Sequence, residues 1–141
     1  MAVDLDRFLA AQAPVLDQVG RELTAGRKQT HWMWFVFPQI AGLGHSAMAR
    51  RYAIASLDEA RAYLAHPVLG PRLVQCVDLV NRVDGRSILQ ILGNPDDMKF
   101  RSSMTLFAAA DRGQAVFQTA LAKYFDGAPD VLTTEALGLH G

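Results

Sequence analysis

Residues 28–46 read KQTHWMWFVFPQIAGLGHS and contain both tryptophans of the chain. The apolar run from Trp32 to Phe37 has no periodicity that separates a buried strand from a buried helix. We assign it to a short buried helix, because no other segment offers a partner strand and an unpaired strand would leave its backbone polar groups unsatisfied. Pro38 ends this element, since the residue before a proline is pushed out of the helical region. The stretch therefore predicts an all-helical fold.

The segments on either side of this stretch also have helical patterns. Apolar residues recur at helical spacing from Leu69 to about Val83, and a capping box begins at Ser56, with Glu59 three residues later. Residues 94–97 combine a cap, a first-turn proline and two acids, and they predict a helix to Ala110. The sequence predicts an all-α single domain over residues 1–141. We expect a bundle of about seven or eight short to medium helices in orthogonal or horseshoe-like packing.

Composition limits the classes of function. Half of the 141 residues are hydrophobic and a fifth are charged, which is typical of a globular domain that folds by itself. Fourteen basic and fourteen acidic side chains cancel, so no overall field favours nucleic acid or an anionic membrane as a partner. No apolar run approaches the roughly 18 residues of a membrane span. The lone Cys76 and the absence of a signal peptide predict a cytoplasmic protein.

A first candidate site follows the aromatic run. Gly42 and Gly44 allow the backbone to approach a ligand closely, and Ser46 begins a helix whose amides favour an anion. Arg50 supplies a countercharge nearby, and Lys28 stands at the start of the stretch. The pattern predicts a phosphate-binding pocket. The alternative is that the two glycines only shape a turn.

Within the run itself, His31, Trp34 and Gln39 are candidates for ligand contact. Histidine titrates near neutrality and can act as a general acid or base, although it can equally be a partly buried side chain bonded to a backbone carbonyl. Trp32 and Trp34 point about 200° apart on a helix, so that one can fill the core while the other faces a cleft. The expected buried members of the run are Trp32, Phe35 and Val36.

A second candidate site lies on the helix after residue 94. Lys99 is three and four residues before Ser102 and Ser103, where a lysine can activate a hydroxyl or anchor an anion. Asp97 is the other candidate acid–base group. The alternative is that Asp97 and Arg101 form a surface ion pair, and that the serines are small residues at a close helix contact.

The charges on this second helix decide where an anion is expected. Asp96 and Asp97 occupy its first turn, so carboxylates already match its positive end and would repel a phosphate. We therefore expect an anion near Gly44, Ser46 and Arg50. The four histidines and the cysteine fall into no metal-ligand spacing, so that neither a metal nor another cofactor is expected.

The two candidate stretches resemble a bacterial and plant family known as domain of unknown function 1810, and the resemblance covers nearly the whole chain. It implies an all-helical fold and no established activity. Some family members carry a calpastatin label, which implies a disordered inhibitor and disagrees with this globular composition. A more distant likeness, at residues 121–125, is to the helical NADAR family, which is linked to ADP-ribose chemistry. The motifs that carry the first resemblance are Gly26 with Lys28, His31–Trp34, Phe37–Gln39, Gly42–Gly44 with Ser46, Tyr52, His66–Pro67, Leu69–Gly70, Asp97, Lys99 and Ser102–Phe107.

Two hypotheses of function follow. The first is a small-molecule binding protein or enzyme for a nucleotide or an ADP-ribose-like ligand, with glycosidic hydrolysis as the first candidate reaction. In it Trp34 stacks on a ring, His31 and Gln39 hydrogen-bond the ring, Arg50 and the Gly44 backbone hold phosphate, and Asp97 or Lys99 supplies acid–base function. The second is a non-enzymatic interaction module whose aromatic stretch is core and whose protein partner is unknown. A shared pocket requires Lys99 to converge on the 31–46 stretch.

Overall fold

The computed structural model describes residues 4–139, and this part of the chain is helical, without a β-strand. The all-α prediction is confirmed. The described residues form ten helices, against about seven or eight predicted, and three of them, α3, α4 and α7, have only four or five residues. The helices of the described residues are Asp6–Gln12 (α1), Leu16–Ala25 (α2), Met33–Val36 (α3), Ala47–Arg51 (α4), Leu57–Ala65 (α5), Leu69–Asn81 (α6), Ile88–Leu92 (α7), Asp96–Ala110 (α8), Ala115–Phe125 (α9) and Val131–Ala136 (α10).

The ambiguous aromatic run forms the short buried helix α3. Trp32, Phe35 and Val36 are at most 7% exposed, as predicted. After the proline the chain runs beside residues 53–54. The Ile54 amide donates to the Gln39 carbonyl and the Ala41 amide donates to the Ile54 carbonyl, both at 2.8 Å. These two hydrogen bonds satisfy the extended backbone and fix the loop that follows it.

The helix ends follow the predicted capping signals, with two differences. Ser46 and Ser56 each accept a hydrogen bond from the amide three residues later. The Glu59 carboxylate, however, bonds the Ala55 amide and Arg7 instead of closing a box on Ser56. The expected cap at residue 94 is wrong as well, since α8 begins only at Asp96, after a cis peptide bond to the proline, and no side chain caps it. Within the described residues, a complete capping box is formed at the start of α7, between Ser87 and Gln90.

The core is organised around α6 and α8. Helix α8 packs against α5, α7, α9 and α10, while α6 packs against α2, α5 and α9. Residues 102–107 of α8 are buried without interruption. Aromatic rings connect this helix to the rest, because Phe37 meets Phe100 edge-on at 5.0 Å and Tyr63 meets Phe107 at 5.4 Å between ring centroids. The aromatic stretch is thereby fixed against the start of α8. No helix within residues 4–139 has the length and apolar character needed to cross a membrane.

Candidate functional site

A cavity of about 130 Å³ lies between α3, the loop 39–44, α4 and the first turn of α8. We call it the Trp34 cavity. Its inner walls are apolar, with Met33, Phe37 and Ile40 at 5% exposure or less. Four polar side chains line it. They come from three segments, with Gln39 in the loop, Arg50 and Tyr52 at α4, and Lys99 in α8. Polar side chains up to 60 residues apart in the sequence thus converge on one concave site.

The two tryptophans lie in different environments, as predicted, but they do not share one helix. Trp32 is fully buried, and its indole Nε1 donates to the Glu22 carboxylate at 3.1 Å. Trp34 is half-buried and lines the cavity. One ring therefore belongs to the core and the other lines the cavity, although Trp32 precedes the first residue of α3 and does not have a helical backbone conformation.

The glycine loop forms one wall of the cavity. A Cβ at Gly44 would lie 2.6 Å from the Cβ of Ala49, so glycine lets this loop pass directly against α4. Gly42, also in the lining, has a φ of +100°. Both glycines thus have a structural reason to be there, as the turn alternative expected, while they also line the site. Ser46 lies outside the lining, and its hydroxyl caps α4 by accepting from the Ala49 amide at 3.1 Å.

Two lysines and one aspartate form a charged group beside the tryptophans. The Lys99 ammonium stands 5.5 Å from the Trp34 ring centroid, and the Lys28 ammonium stands 5.1 Å from that of Trp32. Asp96 lies between them, with its carboxylate oxygens 3.0 Å from Lys28 and 3.9 Å from Lys99. Lys28 is therefore closely paired and almost buried, and only Lys99 reaches the cavity. The Lys99 ammonium is thus less tightly paired than that of Lys28.

Three polar side chains of the lining have no partner among the described residues. Neither Gln39, Arg50 nor Tyr52 forms a side-chain hydrogen bond or an ion pair there. The side-chain polar atoms of Gln39 and Tyr52 are not among the fully buried atoms that lack a partner in the described residues, and Arg50 is exposed. These groups therefore face the open space of the cavity, where water or a ligand can bind them. The described lining contains two cations, Arg50 and Lys99, and no carboxylate, while Asp96 lies 3.9 Å from the Lys99 ammonium.

The structure brings together six of the residues singled out from the sequence and leaves the others outside the lining. The six are Trp34, Gln39, Gly42, Gly44, Arg50 and Lys99. His31 is exposed at the surface before α3 and is not the partly buried histidine that the alternative described. Asp97 lies two residues before Lys99, on another side of α8, where its carboxylate accepts from the Met98 amide at 2.9 Å. Lys28 pairs with Asp96 and Ser46 serves as a helix cap.

The two serines of α8 are inside the molecule. The Ser102 hydroxyl bonds the Met98 carbonyl at 3.3 Å, one turn back along the helix. Ser103 is fully buried, and its hydroxyl has no hydrogen-bond partner among the described residues. Neither serine belongs to the lining of the Trp34 cavity. Their position agrees with the alternative of small residues at a close helix contact.

Sequence reasoning missed the residue that orients the aromatic stretch, Glu22. Its buried carboxylate accepts from the amides of Gln29 and Thr30 at 2.7 and 3.0 Å, from the Thr30 hydroxyl and from Trp32. Burial raises the pKa of Glu22, but hydrogen bonds from Thr30, Gln29 and Gln18 together lower it by more, to about 2. The sequence signal was present, because Glu22 lies three residues after a buried valine on the apolar face of α2.

Comparison with known proteins gives a family and a close structural neighbour. A family model described as "Protein of unknown function (DUF1810)" matches residues 2–137. The crystal structure of the conserved hypothetical protein Rv1873 from Mycobacterium tuberculosis is similar over 97% of this chain and 98% of that chain, with 57% sequence identity and a TM-score of 0.95. A search of the curated proteins gives no match.

Proposed function

This chain belongs to the DUF1810 family, and we propose that it binds a small anionic molecule in the Trp34 cavity. The observation that carries the proposal is the set of polar lining side chains, Gln39, Arg50 and Tyr52, that have no partner among the described residues. A few convergent polar groups in an otherwise apolar concave site are typical of a ligand pocket.

Charge and shape favour an anion with a flat portion. Arg50 and Lys99 face the same cavity without a carboxylate in its described lining, so a bound anion meets two cations. The half-buried ring of Trp34 offers an aromatic surface for stacking. The chemistry supported by these groups is recognition, by charge-assisted hydrogen bonds at one end of the ligand and aromatic contact at the other.

A nucleotide or an ADP-ribose-like ligand is compatible with this proposal only if one end of the molecule occupies the cavity and the rest lies outside it. Pockets that enclose drug-sized ligands have volumes of about 300–1,000 Å³, whereas this cavity has about 130 Å³. Glycosidic hydrolysis has less support than binding, since it generally uses a pair of carboxylates and the described lining contains none. Asp97, the carboxylate predicted for that role, lies outside the lining.

A protein-interaction module is the second candidate. Two features favour it, the burial of Trp32, Phe35 and Phe37 in the core and the exposure of Val131 and Leu132 on α10, at 63% and 61%. Exposed apolar pairs of this kind can contact a protein partner. If this surface is the functional one, replacing both α10 residues by serine abolishes partner binding, and Arg50→Gln leaves it unchanged.

A thermal-shift panel tests the ligand proposal. The probes are inorganic phosphate, AMP, NAD, ADP-ribose and small carboxylates. A ligand at about a hundred times its dissociation constant adds about 2.7 kcal/mol to the free energy of unfolding. We expect at least one anion to raise the melting temperature of the wild-type protein and not that of Arg50→Gln. Arg112→Gln, at an exposed arginine outside the lining, is the matched control. No shift with any probe, or an equal shift in Arg50→Gln, would contradict the proposal.

A further inference from the structure

We infer that the ligand of the Trp34 cavity is a single planar ring that bears a carboxylate, of the size of benzoate or a pyrimidine carboxylate. This inference rests on the proposed function and narrows it to one chemical class. Four properties of the site carry it, which are its volume, its apolar inner wall, its cations and its unpaired hydrogen-bonding groups.

Volume limits the ligand to one ring. An apolar protein cavity of about 150 Å³ accommodates benzene, and this cavity has about 130 Å³. A six-membered ring therefore fills it, while a ring joined to a ribose and a phosphate would extend far outside. Since Arg50 and Gly42 are exposed at the rim, a charged substituent of the ring lies at the mouth of the cavity.

The inner wall selects a ring over a bare anion. Met33, Phe37 and Ile40 are almost completely buried and contribute no charged group. An inorganic phosphate placed against them would lose hydration without replacement hydrogen bonds, which is unfavourable. An aromatic ring instead removes its own apolar surface from water and contacts the Trp34 indole in an offset or edge-to-face arrangement.

The cations select a carboxylate at the rim. The guanidinium of Arg50 has no partner among the described residues, and its planar fork matches the two oxygens of a carboxylate. Lys99 supplies a second positive charge and is held only loosely, 3.9 Å from Asp96. A carboxylate attached directly to the ring lies in or near the ring plane. It therefore reaches the rim while the ring remains against the apolar wall.

Gln39 and Tyr52 extend the specificity to substituents on the ring. The amide of Gln39 offers two donors and one acceptor, and the Tyr52 hydroxyl both donates and accepts. A ring nitrogen, hydroxyl or oxo group within reach satisfies them, whereas an unsubstituted ring leaves them without partners. We therefore expect a hydroxybenzoate or a pyrimidine carboxylate to bind more tightly than benzoate itself.

Calorimetric titration of the full chain tests two things separately, whether the cavity binds any anion and whether it prefers an aromatic carboxylate. The probes are benzoate, the neutral benzamide, the non-planar cyclohexanecarboxylate, inorganic phosphate and ADP-ribose. We expect benzoate to bind about tenfold more tightly than benzamide, because it adds charge-assisted hydrogen bonds, and also more tightly than cyclohexanecarboxylate. Arg50→Gln removes the preference for benzoate over benzamide. Because Arg50 is exposed and unpaired, this variant should keep the wild-type melting temperature.

Tryptophan fluorescence locates the bound ring. With excitation that is selective for tryptophan over the three tyrosines, the emission comes from Trp32 and Trp34, and of these two only Trp34 lines the cavity. Benzoate should change the emission of the wild-type protein and not that of Trp34→Phe, in which calorimetry still detects binding because an aromatic wall remains. Binding of phosphate or ADP-ribose without benzoate would overturn the carboxylate-ring inference and leave the proposed function standing. Equal affinities for benzoate and the neutral benzamide would overturn both, because the site would then not recognise a negative charge. Failure of every probe would overturn both.

Discussion

Glu22 shows how a single buried carboxylate prepares the site without touching it. It accepts hydrogen bonds from residues 29–32, immediately before the helix that carries Trp34. Replacing it by glutamine keeps the shape but puts an amide donor where all the neighbours donate. We expect Glu22→Gln to lower the free energy of unfolding by about 2–3 kcal/mol, as measured by urea denaturation. Glu135→Gln, at an exposed position of α10, is the matched control and should change stability by less than about 0.5 kcal/mol.

The stability difference between the wild-type protein and Glu22→Gln also depends on pH, with a sign that follows from the pKa of Glu22. The pKa of Glu22 falls from 4.5 to about 2 on folding, so its contribution is complete above about pH 4.5 and is lost as the pH falls toward 2. A difference of this size corresponds to about 3 kcal/mol. The stability gap between wild type and Glu22→Gln should therefore shrink steadily between pH 5 and pH 2. A gap that stays constant over this range would show that Glu22 does not act through its charge.

At the scale of elements, the turn between α5 and α6 depends on Gly70. A Cβ there would lie 2.1 Å from the Leu64 carbonyl oxygen, which is backbone and cannot rotate away. Gly70→Ala should push the two helices apart and lower stability by about 1–3 kcal/mol or more, measured as the urea midpoint. Gly20→Ala is the control, because Gly20 lies within α2 and a Cβ there meets nothing within 4 Å. That change should stabilise the protein by about 0.5–1 kcal/mol through helix propensity. Equal effects at both positions would contradict the close-contact explanation.

The helices were predictable wherever their signals are local. Caps at Ser46 and Ser56 and the apolar spacing of α6 lie within a few residues of the structure that they specify. The start of α8 and the partners of Glu59 were not predictable in this way. Glu59 bonds Arg7, 52 residues away, and no pattern of neighbouring residues encodes that contact. Local sequence therefore specifies where the helices form, and tertiary contacts determine which partners the polar side chains at the helix ends bind.

At the scale of the whole molecule, the difference between local signals and tertiary contacts also explains which features of the site were predicted. Trp34, Gln39, Arg50 and Lys99 were singled out by residue type and spacing, and packing brings them to one cavity. The sequence did not reveal that Lys28 pairs with Asp96 while Lys99 stays accessible, because that depends on how α8 docks against the aromatic stretch. It did not reveal the volume of the cavity either, about 130 Å³, on which the single-ring proposal depends.

The architecture also predicts where a ligand will change dynamics. Helix α4 has no buried residue, and it joins the cavity through Ala49 and Arg50, so it is the part of the site that opens most readily. A ligand bound between α4 and Lys99 of α8 must be released before α4 can open. Saturation with benzoate at about a hundred times its dissociation constant should therefore slow amide hydrogen exchange in residues 47–52 by up to about a hundredfold. Helix α10 is the internal control, since it contributes no residue to the cavity and carries the exposed pair of the protein-interaction alternative. Protection that appears in α10 without any change in α4 would place the ligand on that other surface.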